Sequence, residues 1–237
     1  MKINDKCSLV LNHLYFYDFK SCYPTLLKNI GYEFESDLNN KLERNIEIGL
    51  LQKENRQVYE FLSTSADSLI SYYLEENNVS EKNIILTQKD GFIIKEEIKN
   101  SSDFMKLDLR EIIDTMIITP DRKKYIWWNE NKMDVKGVVN FYSGLLEVFN
   151  LFKKMTFCNK QMLFKQMEYI KKYMFEQTGK EFFVIDKDGV KIIQTNAGPV
   201  KINSLDSFAI ENVNKKKYFD HYFKEFLDAI YLTYYGG

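Results

Sequence analysis

Two aspartates stand where a cation could be held. Asp18 closes the apolar and aromatic run YFYDF, and Asp90 sits in TQKDG, between the apolar segments IILT and GFIIKE. A carboxylate at the end of a buried strand needs a partner for its charge. Two carboxylates brought to one sheet edge repel unless a proton or a cation separates them. Mg²⁺ is the natural cation, because it takes oxygen ligands and keeps water and phosphate in its shell. Two such ions about 4 Å apart activate an attacking oxygen and stabilise a leaving one. Asp90 has a plainer reading too, since Asp-Gly is ordinary turn chemistry. Basic residues cluster in DRKKY, with Arg122, Lys123 and Tyr125, and Lys136 follows in KMDVKG. On adjacent strands they can grip a phosphate backbone by charge; alone, such a cluster is a solvated basic turn. Lys41 and Asn45 lie one helical turn apart and share a helix face, which is equally what a solvated face would show.

The elements that must position these groups follow from periodicity and punctuation. Residues 8–18 read as a strand, and Pro24 fits the first turn of a helix running to about Asn29 and ended by Gly31. Ser36 resembles an N-cap, and residues 36–77 keep helical composition with no Pro and one Gly, Gly49. IILT and GFIIKE form a hairpin around QKDG. Residues 102–112 read as a helix, and DTMIIT, KKYIWW and KMDVKG as three strands. Residues 138–157 and 159–177 carry Leu, Phe and Met at helical spacing. EFFVIDKDGVKIIQT reads as a hairpin turning at Asp188-Gly189, and residues 215–234 as a last amphipathic helix. Strands and helices in runs make this an α+β pattern rather than alternating βαβ. A mixed part, residues 1–137, precedes a mainly helical part, residues 138–237, with the hairpin at 181–195.

Composition bounds the function classes. Hydrophobic content of 45% and charged content of 28% are ordinary for a soluble globular chain of 237 residues. A net charge of -1 gives no global support for nucleic-acid binding, so any such contact is local. Cys7, Cys22 and Cys158 show no metal or disulfide spacing, which fits a reducing compartment. With only His13 and His221, a histidine-based zinc site is disfavoured. No signal peptide is visible in these residues, and no apolar run of ~18 residues is present to span a membrane. The aromatics, 15% of the chain, either fill an irregular core or face bases and sugars.

DFKSCYPTLLKNIGYE resembles the first catalytic motif of family B DNA polymerases, D-x-x-S-L-Y-P-S, through Asp18, Ser21, Tyr23 and Pro24. Cys22 replaces the usual Leu and Thr25 the usual Ser. A helix leading into a strand and then QKDG is similar to the family's Y-x-D-T-D-S segment. Asp90 falls on its second aspartate and Gln88 replaces the first. DRKKY resembles the family's K-K-x-Y, with Arg122, Lys123 and Tyr125 in the matching places, and Lys136 falls in a K-x-K-G-like strand. KLERNIEIG is similar to the fingers motif K-x-x-x-N-S-x-Y-G through Lys41, Asn45 and Gly49. The closing KKYFDHYFKEFLDAIYLTYYG resembles the family's last helix.

The resemblance implies a polymerase-like palm with an antiparallel sheet and packed helices, then a thumb-like helical part with a β-hairpin. Only seventeen residues precede Asp18, so no exonuclease domain is expected, and the fingers would be reduced to residues 36–77. It further implies that Asp18 and Asp90 are catalytic and hold two Mg²⁺, with Mn²⁺ as a substitute. Tyr23 would lie under the sugar of the incoming nucleotide and block a 2′-hydroxyl. Backbone N–H groups of Ser21, Cys22 and Tyr23, with Lys41 and Asn45, would meet its phosphates, and Arg122, Lys123, Tyr125 and Lys136 would hold DNA. The expected activity is addition of deoxynucleotides to a primer 3′ end, with primer–template DNA and dNTP as partners, and a separate polymerase or exonuclease subunit supplying missing parts. Family habit places it in a virus or mobile element, in the cytoplasm of the cell or host. The alternatives are a non-catalytic DNA-binding or assembly subunit, favoured by Gln88 and the near-zero net charge, and a primase-like enzyme making short products.

Overall fold

The computed structural model describes residues 1–37, 39–98, 105–138, 142, 144–157, 159–177, 181–187, 190–201 and 213–236. In chain order the strands are β1 (Lys2–Ile3), β2 (Val10–Phe19), β3 (Ile84–Gln88), β4 (Gly91–Ile94), β5 (Leu107–Ile118), β6 (Tyr125–Trp128), β7 (Met133–Lys136), β8 (Ile185–Lys187), β9 (Val190–Thr195) and β10 (Gly198–Lys201). The helices are α1 (Cys22–Asn29), α2 (Lys41–Glu54), α3 (Arg56–Glu76), α4 (Leu145–Lys153), α5 (Lys160–Glu176), α6 (Lys215–Tyr222) and α7 (Lys224–Tyr235). Seven strands make one sheet in the order β1-β3-β4-β2-β5-β6-β7, and β10-β9-β8 make a second. The architecture is α+β, as expected. By contacts the chain forms two compact units: Met1–Cys7 with Asn12–Thr115, and Ser8–Leu11 with Met116–Gly237.

In the first unit, β2 alternates, burying Tyr17 and Phe19 on one side. Phe19 meets Tyr73 and Phe92 with ring centroids 5.2 and 6.4 Å apart, in a core shared with Leu26, Leu27, Leu62 and Ile70. Each such large side chain contributes roughly 1.5–3 kcal/mol through burial. The Tyr17 hydroxyl accepts the Ile98 N–H at 3.0 Å and donates to the Ile98 carbonyl at 3.3 Å, so the buried phenol is satisfied.

The run at 36–77 is two helices rather than one. Asn55, in extended conformation, ends α2 and caps α3, accepting the N–H groups of Gln57 at 3.0 Å and Val58 at 3.4 Å. Asn40, not Ser36, caps α2. The helix expected at 102–112 is replaced, from Leu107 on, by strand β5; residues 102–104 lie outside the described set. Ile113 and Thr115 are buried while Ile112 and Asp114 face out, a period of two. Pairing decided this: Lys20 N–H donates to the Lys106 carbonyl at 2.9 Å at one end. Such context outweighs local propensity.

In the second unit the ladder pairs Ile118 N–H with the Leu9 carbonyl at 2.7 Å, and β6 and β7 form a hairpin. The core there is aromatic. Tyr142 lies within 5.0–6.3 Å of Tyr222, Tyr218, Phe182, Phe183 and Phe223, so these aromatics are packing. The helix expected from 138 begins at Leu145. The expected last helix is broken at Phe223 into α6 and α7. The hairpin of β8 and β9 gains a third strand, β10, and its turn residues 188 and 189 lie outside the described set. Among the described residues no helix is long and apolar enough to cross a membrane.

Candidate active site

Gly91 sets the spacing of the two aspartates. β2 and β4 are antiparallel with Asp18 opposite Gly91, and β3 and β4 pair Gln88 with Gly91. The connecting residues are Lys89, with φ 42°, and Asp90. A Cβ on Gly91 would stand 2.8 Å from the Tyr17 carbonyl oxygen, so only glycine lets the strands approach this closely. Phe19 N–H then donates to the Asp90 carbonyl at 2.9 Å, fixing Asp90 beside the end of β2.

Both carboxyls titrate above their usual range. For Asp18, burial is the main cause and the negative charge of Asp90 the second, partly offset by Arg110. For Asp90, burial again leads, opposed by its own backbone and by Lys89, Arg110 and Lys41. Arg110 on β5 donates from Nε and places Nη2 on the same oxygen, Asp18 Oδ2, each at 3.2 Å. Its Nη1 stands 3.9 Å from Asp108, which Lys106 approaches at 3.3 Å.

The turn after β2 enters α1 through Ser21, held in the left-handed region at φ 53°. Its side chain makes no cap, and its carbonyl accepts the Thr25 N–H at 3.0 Å and hydroxyl at 2.9 Å. Pro24, in the first turn, has no N–H to leave unsatisfied. The first-turn N–H groups therefore keep their affinity for an anion. Cys22 is buried and its thiol is pushed up to about 12, chiefly by burial, so it contributes no thiolate. Tyr23 is half-buried, and burial first, then Asp90, push its hydroxyl to about 12.

α2 closes the other side. Lys41, Arg44, Asn45, Ile48, Gly49 and Gln52 recur at helical spacing, and all line a cleft of about 520 Å³ with Asp18, Asp90, Ser21, Cys22 and Tyr23. Lys20, Lys89 and Arg110 complete its charge. The α1–α2 connection is tied to α2 by Glu47, which accepts the Tyr32 hydroxyl at 2.9 Å and the N–H groups of Glu35 and Ser36 at 3.0 and 2.9 Å. Thus seven residues named from sequence, Asp18, Ser21, Cys22, Tyr23, Lys41, Asn45 and Asp90, line one cleft. Arg110, Lys89, Lys20 and Gln52 were not anticipated. Gln88 is not among the lining residues. No group of three or more His, Cys, Asp or Glu side chains is gathered as a metal site among the described residues.

The four residues expected to hold DNA belong to the second unit. Arg122 takes φ 56° in the turn before β6, and Asp121 Oδ1 accepts the Thr119 hydroxyl at 2.6 Å and the Lys123 N–H at 3.1 Å. Lys123 is exposed and Lys136 pairs with Asp134 at 3.5 Å. Tyr125 sits opposite Lys136 but is wholly buried, so its ring is core and not a contact surface. Lys124, unremarked in the sequence, reaches Glu225 at 2.9 Å and the His221 carbonyl at 3.2 Å, tying this turn to α6 and α7. Gly137 adopts φ 78°, where a Cβ would fall 2.3 Å from the Lys123 carbonyl oxygen.

No protein-family model matches the chain, and no curated protein matches it. Among solved structures the chain is similar to the family B DNA polymerase from the hyperthermophilic archaeon Pyrobaculum calidifontis. The TM-score is 0.51 at 11% identity, covering 96% of this chain and 46% of that one. The likeness is one of fold: this chain has a polymerase-like α+β architecture and spans about half the length of that polymerase.

Proposed function

We propose that the chain is a reduced family B-like nucleotidyltransferase that adds deoxynucleotides to the 3′ end of a primer on a DNA template. Residues 1–137 are the palm-like part and 138–237 the thumb-like part. The observation that carries the reading is the single cleft in which Asp18 and Asp90 face Tyr23, the start of α1 and the cationic face of α2. Its volume of about 520 Å³ suits a nucleotide-sized ligand.

The donor set fits a hard divalent cation. Both carboxyls are raised by burial in spite of the cations near them, and Mg²⁺ is commonly held by one or two carboxylates plus substrate phosphates. Mg²⁺ or Mn²⁺ at Asp18 and Asp90 would polarise the α-phosphate and lower the pKa of the attacking hydroxyl. The chain's own residues bind and orient. The first-turn N–H groups of α1, with Lys41 and Arg44, receive the triphosphate; Asn45 lies on the same helix face. Tyr23, neutral at physiological pH, packs under the sugar and leaves no room for a 2′-hydroxyl. Arg122, Lys123 and Lys136 grip the primer–template backbone by charge, while Tyr125 supports their hairpin from the core. Catalysis is then mostly positioning and charge neutralisation.

A second reading, a non-catalytic DNA-binding or assembly subunit, is favoured by Arg110, which already neutralises Asp18 in part. A labelled primer–template incubated with dNTPs and Mg²⁺ or Mn²⁺ separates the two. Extension by the wild type, lost in Asp18→Ala and Asp90→Ala, is expected. No extension, with candidate partner chains added, leaves the non-catalytic reading. Products of only a few nucleotides indicate the primase-like variant.

A further inference from the structure

We propose that the cleft binds one divalent cation rather than a pair, and that Arg110 is the positioning residue that takes the place of the second. The inference rests on the nucleotidyltransferase reading of the same site.

The two oxygens of Asp18 stand in different surroundings. Oδ2 is engaged by two nitrogens of one guanidinium, Nε and Nη2, each at 3.2 Å. Oδ1 lies 3.3 Å from the position a Gly91 Cβ would take, beside the start of β4. The two oxygens therefore differ: Oδ2 is engaged by a resident cation on β5, and Oδ1 lies beside the glycine that follows Asp90. A carboxylate that bridges two metal ions offers one oxygen to each. Here one of those oxygens is already satisfied by a group that is never deprotonated.

Arg110 is also held from behind. Asp108 lies two residues earlier on β5, on the same face of the strand, with its Oδ2 3.9 Å from Nη1. Lys106 approaches Asp108 at 3.3 Å, so Asp108 is itself shared. The half-exposed guanidinium thus stands between two carboxylates on the cleft wall, Asp18 at 3.2 Å and Asp108 at 3.9 Å.

Charge in the cleft agrees. Lys20, Lys41, Arg44, Lys89 and Arg110 line it against only Asp18 and Asp90. A triphosphate carrying one divalent ion stays negative and meets that excess. A second ion would add to it, beside a guanidinium that repels it. Lys89, exposed at the turn beside Asp90, adds a further positive charge where another carboxylate would otherwise be of use to a second ion.

The test counts ions. The full chain is titrated with Mn²⁺, free Mn²⁺ being read by electron paramagnetic resonance, in the presence of primer–template and a non-hydrolysable dNTP analogue. The expected result is one Mn²⁺ per chain for the wild type and for Arg110→Lys. Arg110→Gln is expected to take up a second Mn²⁺ per chain. Circular dichroism confirms that each variant is folded, and Arg110→Lys keeps the test valid should Arg110→Gln not fold. Two ions on the wild type would overturn the proposal. So would Mn²⁺ binding unchanged by Arg110→Gln, or no uptake by any form. One ion with no primer extension would leave this inference standing and remove the polymerase reading; extension with two ions would do the reverse.

Discussion

Gly91→Ala tests whether the β2–β4 ladder is what places Asp18 against Asp90. The added Cβ would stand 2.8 Å from the Tyr17 carbonyl oxygen, 3.2 Å from the Phe16 ring and 3.3 Å from Asp18 Oδ1, where ordinary contact begins at 3.4 Å. The first of these is backbone and cannot rotate away, so β4 must retreat from β2 by about 0.6 Å, within the range where overpacking costs ~1–3 kcal/mol. Alanine returns about 0.5–1 kcal/mol by restricting the unfolded chain. The net expectation is a loss of about 1–2 kcal/mol, read as a lower urea midpoint at unchanged m-value. The same retreat stretches the 2.9 Å bond from Phe19 N–H to the Asp90 carbonyl. A displacement of this size at reacting groups costs on the order of 10–100-fold in rate, which primer extension under single-turnover conditions would measure. Gly49→Ala is the control. It lies inside α2 with nothing within 4 Å of the added Cβ, so it should stabilise by about 0.8–1 kcal/mol. A Gly91→Ala protein as stable as wild type would refute the packing argument. One that is destabilised but extends primer at the wild-type rate would refute the claim that this ladder sets the site.

Tyr23→Ala should lower discrimination against ribonucleotides by roughly 10–100-fold, while Tyr23→Phe should keep it, since the ring and not the hydroxyl does the excluding; an unchanged rNTP to dNTP ratio in Tyr23→Ala would reject the sugar role. Glu47 is held down to about 2, chiefly by Ser36 and further by the Glu35 N–H and the Tyr32 hydroxyl. Its folded pKa lies below the ordinary value of 4.5, so its hold on the 32–36 segment is complete above about 4.5 and is lost as pH falls through about 2. The amide proton shifts of Glu35 and Ser36 should titrate near 2 and become flat in Glu47→Gln. A midpoint near 4.5 would show that these bonds do not form in solution.

The strands and turns that carry the acids were legible because they are locally marked. Asp18 closes an apolar run, and an ionised group there is costly unless something compensates it. Lys89-Asp90-Gly91 is a turn that glycine alone can close against β2. Helix ends were less legible. Asn55 looks like any polar residue in a helical run, yet its extended backbone splits 36–77 into α2 and α3. Phe223, at φ -121°, divides the last helix although its side chain is wholly core. Nothing in its type announces a break, because the break serves tertiary packing of the rings around Phe149 and Phe152.

Misreading one element also hid the most informative charge. In a helix over 102–112, Arg110 belongs to a solvated face and explains nothing. In strand β5 it lies beside β2 and meets Asp18. The asymmetry is physical: a buried acid is conspicuous, whereas an arginine is at home on almost any surface, and only its partner reveals a role. Lys41 was visible because a local pattern groups it with Asn45 in sequence, but Arg110 reaches the cleft across 92 positions. The cations of this site thus come by two routes. Those on α2 arrive as a local pattern, suited to a ligand that enters and leaves. Arg110 arrives by sheet pairing, the most rigid link available, and so defines what charge Asp18 carries before any ligand binds. A site assembled this way has part of its electrostatics built into the ladder, and the number of ions it accepts is then a property of β5 as much as of its two aspartates.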